Sequence, residues 1–480
     1  MTVLAGEPDL EAEEIQGNVL RGFDTNHQEL LGFTLDDPPA ARPWLAGLAD
    51  RIASLERVHD YRLRRTAGDP ATTTEVLVNA AFSRRGLDAL ELRGTDVGDG
   101  FFNLAMGSLA GSLGDRREDY VIGRDRESTP DLLLLLGCQE DETLTAASRL
   151  FQEEAGAAGL RRIYQERGHL LPGEVEHFGY RDGISQVGPR GLLPGDPPQP
   201  LTLRLDPSDP RSVLEGERGQ RLVWPGQFVF GYATQGEDPI TPGPIATGTD
   251  WMRNGSLLVF RRLRQDVAAF RQFLAETAQE LTGRLGLTVT DRDLGAQVVG
   301  RWEDGTPVTL SPEGPDPAIS GDPRLLNTFG YAADAQGQRC PFFAHIRKVN
   351  PRDLQTDQGP ATRTLQFQML RRGIPYGPHF EPGTEAEDRG LLFLAYQTSF
   401  MNQFQLLNKL WMNNSRAPEK EAGHDLLVGQ DELGGARFGA LLDPLGNERA
   451  RFATRARWVV PTGGAFLFSP SLGFFRRLAG

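Results

Sequence analysis

The chain has 480 residues, of which 39% are apolar and 24% are charged, a composition typical of a soluble globular protein. This length exceeds what one ordinary hydrophobic core supports, so two domains are expected. The net charge of −14 argues against nucleic acid and against anionic membrane surfaces as partners.

Neither the cysteines nor the N-terminus indicates an exported or membrane-bound protein. Cys138 and Cys340 have no CxxC spacing, which argues against a zinc site or a disulfide framework. The first 17 residues are acidic and contain no long apolar run or twin-arginine leader. No segment approaches the roughly 20 apolar residues of a membrane span. We therefore predict a cytoplasmic protein.

The first half of the chain alternates apolar runs with amphipathic segments. Residues 1–14 resemble a frayed arm. The apolar patterns predict strands at residues 32–35, 75–82 and 131–138 and helices at residues 40–53, 83–91 and 142–157. Ser83 is the expected N-cap of the second helix. Residues 188–225 are rich in Pro and Gly, and we place the join between the two halves there.

The second half repeats the same alternation. Strands are predicted at residues 227–232, 256–261, 390–396 and 462–467, and helices at residues 266–281 and 400–411. In both halves a buried strand leads into a helix of similar length. This predicts an α+β fold of two ferredoxin-like domains with antiparallel sheets, spanning residues 1–215 and 216–480. A parallel α/β sheet is the alternative, but no GxGxxG or GxxxxGK[ST] loop supports its nucleotide-binding form.

Three polar positions next to Gly or Pro are candidates for a redox site. The histidine spacings do not fit a multi-histidine metal centre, but haem iron needs only one axial imidazole. His345 follows the apolar residues Phe342, Phe343 and Ala344. Taken alone, it fits a core histidine better than a ligand.

The other two candidates also have simple structural readings. Asp182 lies between Gly179 and Gly183, where an aspartate commonly stabilises a turn. Arg371 and Arg372 precede a Gly-Ile-Pro segment and, taken alone, fit a solvated strand end. Only their combination with His345 points to a single site.

Taken together, these segments resemble the dye-decolorizing peroxidases, with the length of the long bacterial subfamily. The resemblance extends from about residue 14 to the C-terminus. The matching segments, in chain order, are EIQGNVLRGF, FGYRDGISQ with its GxxDG pattern, AHIRKVNPR, MLRRGIPYGP followed by GLLFLAYQTSFMNQFQLLNKLW, and PTGGAFLFSPSL.

The resemblance implies one haem b per chain, held mainly by the C-terminal domain. His345 would be the proximal iron ligand, and Asp182 the distal acid–base group. Counting back from Pro375 assigns the distal arginine to Arg371, with Arg372 as the ambiguity. The further expected haem contacts are Gly183, Ile184, Gln186, Arg347, Leu391 and Phe393. Gln403 and Gln405 are candidates for the partner of the proximal histidine.

The resemblance also implies the reaction. Hydrogen peroxide would be reduced while dyes, phenols or similar one-electron donors are oxidised. Separately, the net charge of −14 makes the cation Mn²⁺ a candidate donor, and a homo-oligomer is left open. Asp182 would move the peroxide proton, and Arg371 would stabilise the charge released by O–O cleavage. A carboxylate base, with a reference pKa of about 3.9, predicts an acidic activity optimum.

Two alternatives remain at this point. One is a non-catalytic haem carrier or a protein that releases iron from haem, which would need neither Asp182 nor Arg371. The other is an enzyme without haem, in which the motifs are only turns and core.

Overall fold

The computed structural model describes residues 6–91, 97–419, 423–431, 434–442 and 447–479. The α-helices are α1 (Gly17–Leu20), α2 (Pro38–Gly47), α3 (Leu55–Thr66), α4 (Arg84–Ala89), α5 (Ala110–Leu113), α6 (Asp141–Ala157), α7 (Val267–Leu285), α8 (Asp291–Val299), α9 (Pro317–Ser320), α10 (His345–Val349) and α11 (Leu472–Arg477). A π-helix spans Phe400–Met412. Short 3₁₀ helices occupy Leu48–Asp50, Pro70–Thr73, Met106–Leu109, Arg117–Asp119, Pro210–Val213, Pro225–Gln227, Asp250–Met252, Ala332–Asp334 and Ala361–Phe367.

Within the described residues, the main sheet has nine strands. They are β1 (His27–Leu35), β2 (Leu77–Phe82), β3 (Leu132–Cys138), β4 (Leu160–His169), β5 (Ser256–Gln265), β6 (Leu370–Arg371), β7 (Ile374–Tyr376), β8 (Gly390–Gln397) and β9 (Val459–Ser469). Small two-stranded pairs join Gly188–Pro189 to Leu222–Val223, Leu192–Leu193 to Gln199–Pro200, Ala233–Gln235 to Pro242–Ile245, and Arg437–Leu442 to Glu448–Thr454.

Each half of the chain forms a ferredoxin-like unit. In the first unit the strand order is β2–β3–β1–β4, with α2, α3 and α6 in the crossovers. In the second unit β9 pairs with β5, β5 with β8, and β6 and β7 both pair with the other edge of β8. Every pairing in the main sheet is antiparallel, so the prediction of two antiparallel α+β units is confirmed and the parallel alternative is wrong.

The two sheets join into one closed barrel. Tyr376 of β7 lies opposite Gly168 of β4, and Phe82 of β2 lies opposite Phe468 of β9. Closure leaves no free edges between the units. The units are connected through residues 170–255, and the predicted boundary at residue 215 falls within this connection. Its exact position stays a prediction.

Most predicted elements are present, and the local signals explain them. Ser83 caps α4 by accepting a hydrogen bond from the backbone N–H of Gly86, and Asp266 caps α7 by accepting one from Ala269. The all-apolar strand β3 is buried along its whole length. Helix α10 ends at Val349, two residues before Pro351, because proline disfavours the helical conformation for the residue that precedes it.

Two predictions are wrong. Residues 227–232 do not form a strand, because Phe228 and Val229 donate backbone hydrogen bonds back to the carbonyl of Pro225 and are buried in a turn. The N-terminal arm is not frayed over the described residues 6–14. Leu10 is buried there, and the carboxylate of Glu7 forms an ion pair with Arg190 at 3.0 Å.

Candidate active site

The candidate proximal ligand, His345, is the first residue of α10 and follows the fully buried Phe343 and Ala344. Its Nδ1 lies 2.7 Å from Oδ2 of Asp425, a side chain with no solvent exposure. The other carboxylate oxygen of Asp425 accepts the backbone N–H groups of Leu427 (2.9 Å) and Val428 (3.0 Å). The carboxylate is therefore held rigidly against the imidazole.

The charge state of this pair fixes the tautomer. Burial would raise the pKa of Asp425, but the surrounding positive charge, including that of Lys348, and the hydrogen bonds from His345 and Val428 together outweigh burial and keep that pKa below its ordinary value. An ionised carboxylate only accepts hydrogen bonds, so Nδ1 of His345 donates. The ring's other nitrogen, Nε2, then carries a lone pair and makes no hydrogen bond to the described residues. This is the arrangement that an axial metal ligand requires.

The expected partners of His345 are replaced by Asp425. The amide of Gln403 donates to the carbonyls of Gln227 and Gln368, and that of Gln405 donates to the hydroxyl of Ser112. Both glutamines therefore serve the π-helix and its surroundings and not the imidazole.

Arg347, an expected haem contact, is held by protein oxygens in this structure. Two of its guanidinium nitrogens donate to the carboxylate of Glu419, both at 3.0 Å. The third donates to the carbonyl of Cys340 at 2.9 Å and to the carbonyl and carboxylate of Asp334. Each nitrogen is thus already bonded to a protein oxygen in the buried core.

A second buried cation, Lys348, lies one residue further along α10. Its ammonium group donates to the carbonyl oxygens of Asn414 (2.7 Å) and Ala417, just beyond the π-helix. Burial lowers the pKa of Lys348 to about 7, although the negative charges of Asp425 and Glu419 oppose the shift. This contact ties α10 to the segment that leads to Asp425.

The GxxDG loop presents Asp182 to solvent. One Asp182 carboxylate oxygen accepts the backbone N–H of Gly183 at 2.7 Å, and its own N–H donates to the carbonyl of Glu174 at 3.3 Å. Gly179 and Gly183 have φ angles of +100° and +71°, which explains why glycine occupies both positions. The loop therefore combines a fixed backbone with an accessible carboxylate.

Arg371 contacts the end of the same loop. Its Nη2 donates to the carbonyl of Ser185 at 2.5 Å. The Gln186 side chain accepts the Arg371 backbone N–H at 3.4 Å and donates to its carbonyl at 3.3 Å. Arg371 lies opposite Ala395 of β8, so its side chain shares a face of the sheet with Phe393 and Leu391. This face includes the two apolar residues expected to narrow the distal side.

Arg372 points away from that face. Its guanidinium group donates to the carbonyls of Asn18 (2.8 Å) and Val19 (3.1 Å) in α1 and to that of Arg371 (3.0 Å). Burial lowers the pKa of Arg372 to about 9, and the charge of Arg62 adds to the effect. This geometry favours Arg371 over Arg372 as the distal arginine.

Sequence reasoning missed Arg352, although it lies in the AHIRKVNPR segment. Arg352 follows Pro351 with a φ of +59°. Its guanidinium group donates to the carbonyls of Asn327 (2.8 Å) and Phe329 (3.1 Å) and to the hydroxyl of Ser185 (3.4 Å). Its Nε is buried and has no partner among the described residues. Arg352 therefore links the segment of His345 to the loop of Asp182.

A small polar cavity lies beside this link. Arg352, Arg221, Ser185 and Gln186 are among its lining residues. The Nε of Arg221 is also buried without a partner in the described part of the chain. Two unsatisfied guanidinium nitrogens suit an anionic group such as a haem carboxylate, so the donor set fits haem on this side as well.

The remaining expected contacts lie at the edge of this region. The side chain of Ile184 lies against Gly305, and that of Leu391 lies beside Gly373. Phe393 packs against the large core cluster of the barrel. The structure thus brings Gln186 and Arg371 into direct contact, with Asp182 earlier in the same loop, and places His345 in the separate pair with Asp425.

Comparison with known proteins agrees with this geometry. Residues 14–170 match the DyP dimeric alpha+beta barrel domain, and residues 234–438 match the Dyp-type peroxidase C-terminal domain. A dye-decolorizing peroxidase from Exidia glandulosa is 31% identical, and the alignment covers 96% of this chain and 86% of that protein. The chain belongs to the dye-decolorizing peroxidase family.

Other members of the family match over nearly full length. The multifunctional dye peroxidase DyP2 of an Amycolatopsis strain is 30% identical, with 98% of this chain and 97% of that protein covered. A solved dye-decolorizing peroxidase in complex with 2,6-dimethoxyphenol has a TM-score of 0.79 at 29% identity and covers 98% of this chain and all of that one. Several of the most similar relatives are fungal, so the expected place in a long bacterial subfamily is not supported.

The protein is therefore a haem peroxidase of the dye-decolorizing type. It reduces hydrogen peroxide and oxidises dyes, phenols or similar donors. The same comparisons give no support to the carrier and iron-release alternative. In the described part of the chain, no helix is both long and apolar enough to cross a membrane.

Proposed function

We propose that one haem b per chain binds mainly to the second ferredoxin-like unit, with Nε2 of His345 as the proximal iron ligand. The observation that carries this proposal is the 2.7 Å hydrogen bond from Nδ1 of His345 to Asp425, which leaves Nε2 as the free, basic nitrogen. A carboxylate partner also raises the basicity of the ligating imidazole.

When bound, the haem supplies an iron centre that coordinates peroxide and stores the oxidising equivalents. Asp182 is the residue proposed to move the proton from one peroxide oxygen to the other. Its carboxylate is exposed, and its loop backbone is fixed by hydrogen bonds, so the group is both accessible and positioned.

Arg371 is proposed to stabilise the negative charge that develops on the leaving oxygen. Its guanidinium group is oriented by a hydrogen bond to the carbonyl of Ser185, which lies three residues after Asp182 in the chain. A guanidinium stays cationic throughout the physiological pH range, so the charge is available without a proton transfer.

The haem edges are proposed to meet five of the originally expected residues and one additional arginine. Arg352 is the additional arginine and is proposed to bind a haem carboxylate in place of Arg347, because its buried Nε has no hydrogen-bond partner in the described residues. The other contacts are Gly183, Ile184, Gln186, Leu391 and Phe393.

Phenols and dyes are the proposed reductants, in line with the solved relative that was crystallised with 2,6-dimethoxyphenol. Mn²⁺ stays a prediction from the acidic charge of −14. Within the described residues, no group of three or more His, Cys, Asp or Glu side chains is arranged to hold a metal ion. A homo-oligomer and a cytoplasmic location are likewise proposals from the sequence.

The decisive test compares three variants in rapid mixing with hydrogen peroxide. Asp182→Asn and Arg371→Leu should each slow the reaction of the haem-loaded protein with peroxide, for Arg371→Leu by on the order of 10²–10³-fold. Arg372→Leu is the matched control and should retain a rate near that of the wild type. A large loss with Arg372→Leu and none with Arg371→Leu would reject the assignment of the distal arginine.

A further inference from the structure

Glu176 lies at the base of the loop that carries Asp182. Its two carboxylate oxygens accept the backbone N–H groups of Phe178 (2.9 Å) and Tyr180 (3.1 Å). Its own backbone N–H donates to the carbonyl of Tyr180 at 3.0 Å, and its carbonyl accepts from Gly179 at 2.8 Å. The segment from 176 to 180 is therefore folded around one carboxylate.

The same carboxylate joins the loop to the barrel. The side-chain amide of Gln265, the last residue of β5, donates to Oε2 of Glu176. The adjacent aromatic residues dock on the helices that follow β5. The ring centroids of Phe178 and of Phe270 in α7 lie 4.5 Å apart. The Tyr180 hydroxyl packs so closely on Gly295 of α8 that a side chain at that position would clash, since its Cβ would lie 2.2 Å from the hydroxyl oxygen. Glu176 thus adds a polar connection between the loop and β5 to these aromatic contacts.

The site around Glu176 is built for a group that only accepts hydrogen bonds. Its carboxylate has three partners, and all of them are N–H donors: the backbone N–H groups of Phe178 and Tyr180 and the side-chain amide of Gln265. Burial raises the pKa of Glu176, and these three N–H donors oppose that shift by stabilising the ionised carboxylate. A glutamine side chain of the same shape would direct an NH₂ group at an N–H donor and lose at least one of these bonds.

We propose that Glu176 is a positioning residue for Asp182: its carboxylate holds the GxxDG loop on strand β5 and so places the Asp182 carboxylate for proton transfer. The inference rests on the proposed role of Asp182. Val175 and Arg181 form a single antiparallel bridge at the two ends of the loop. Arg181 directly precedes Asp182, so a shift of Glu176 would also shift the backbone that carries Asp182.

The test measures the second-order rate constant of the haem-loaded protein with hydrogen peroxide and, separately, the rate at which a reducing dye returns the oxidised protein to its resting state. Glu176→Gln should lower the first rate by up to about 100-fold, because displacing a group that takes part in the chemistry by about 1 Å can cost that much. The dye step should be unchanged, because Glu176 acts only through the peroxide step. A general structural defect would slow both steps.

The matched control is Glu174→Gln, the same chemical change two residues earlier. The Glu174 side chain is 71% exposed, and its 3.8 Å ion pair with Arg181 is of the surface type that contributes little, so this variant should stay within roughly twofold of the wild type. If Glu176→Gln fails to retain haem, Gln265→Leu removes the barrel anchor and leaves the carboxylate in place. It should then give the same selective loss of the peroxide step, and an unchanged peroxide rate would overturn the proposal.

A double-mutant comparison separates the two proposals. In an Asp182→Asn background, Glu176→Gln should have almost no further effect on the peroxide rate, because both changes disable the same proton transfer. Equal fold losses in both backgrounds would overturn the positioning role while leaving the role of Asp182 intact. If Asp182→Asn alone keeps the wild-type rate, the proposed function of Asp182 fails first and the positioning role with it.

Discussion

The Asp425→Asn substitution should weaken haem binding through the tautomer of His345. In the wild type one carboxylate oxygen accepts the N–H groups of Leu427 and Val428, and the other accepts Nδ1–H of His345. An asparagine has only one oxygen, and keeping the two backbone bonds leaves its NH₂ group facing Nδ1. The imidazole then accepts at Nδ1 and carries its proton on Nε2, where it blocks the ligand lone pair.

The magnitude follows from losing a buried outer-shell carboxylate, which typically costs about 10- to 100-fold in metal affinity. That range corresponds to about 1.4–2.7 kcal/mol in the free energy of hemin binding. The alternative rotamer, with the amide oxygen towards His345, loses two backbone hydrogen bonds at about 0.5–1.5 kcal/mol each. Either orientation therefore carries a cost of similar size.

Hemin titration followed by Soret absorbance gives the affinity, and ¹⁵N NMR of the haem-free protein reports the tautomer of His345 directly. We expect protonation at Nδ1 in the wild type and at Nε2 in the variant. Asp238→Asn is the control, because exposed Asp238 also accepts two backbone N–H groups, from Ile240 and Thr241, without contacting a histidine. An unchanged hemin affinity together with an unchanged tautomer would refute the reasoning.

Three further predictions concern single side chains. Arg372→Leu should lower the melting temperature, because the carbonyls of α1 lose their donors at about 1–3 kcal/mol each, while the peroxide rate is kept. Arg352→Leu should weaken hemin binding about 10- to 100-fold, the equivalent of one charge-assisted hydrogen bond, in the same Soret titration. The pKa of Lys348 is about 7 in the folded protein and about 10.4 in the unfolded chain, so between pH 7 and pH 9 the unfolded chain binds more protons. The free energy of unfolding of the wild type should therefore rise with pH in this range, by at most about 1.4 kcal/mol per pH unit. Thermal unfolding of Lys348→Met over the same range should show a flatter dependence, and equal slopes would contradict the burial of a titrating lysine.

Strands were predictable from the sequence where they consist of an apolar run. The ends of a strand were not predictable where buried polar residues extend it beyond that run. Strand β1 begins at His27, five residues before its predicted start, because Gln28 and Glu29 have a polar pattern but are buried. Glu29 is satisfied there by Arg167 of β4 at 2.5 Å. Barrel closure depends on pairs such as Tyr376 with Gly168, which no local pattern encodes.

The candidate site shows the same division. His345, Asp182 and Arg371 lie in recognisable segments, so a family resemblance could select them. Asp425 lies 80 residues from His345 in a stretch without a recognised motif, and only the fold brings the two together. The choice between Arg371 and Arg372 depends on which face of the sheet each side chain occupies, a one-residue difference that register alone decides.

The most direct test of the account is the visible spectrum of the hemin-loaded protein before and after one equivalent of hydrogen peroxide. We expect a sharp Soret band that changes with peroxide and returns to its initial form when a reducing dye is added. A Soret band that ignores peroxide would contradict the roles of Asp182 and Arg371, and the absence of any Soret band would contradict His345 as the iron ligand.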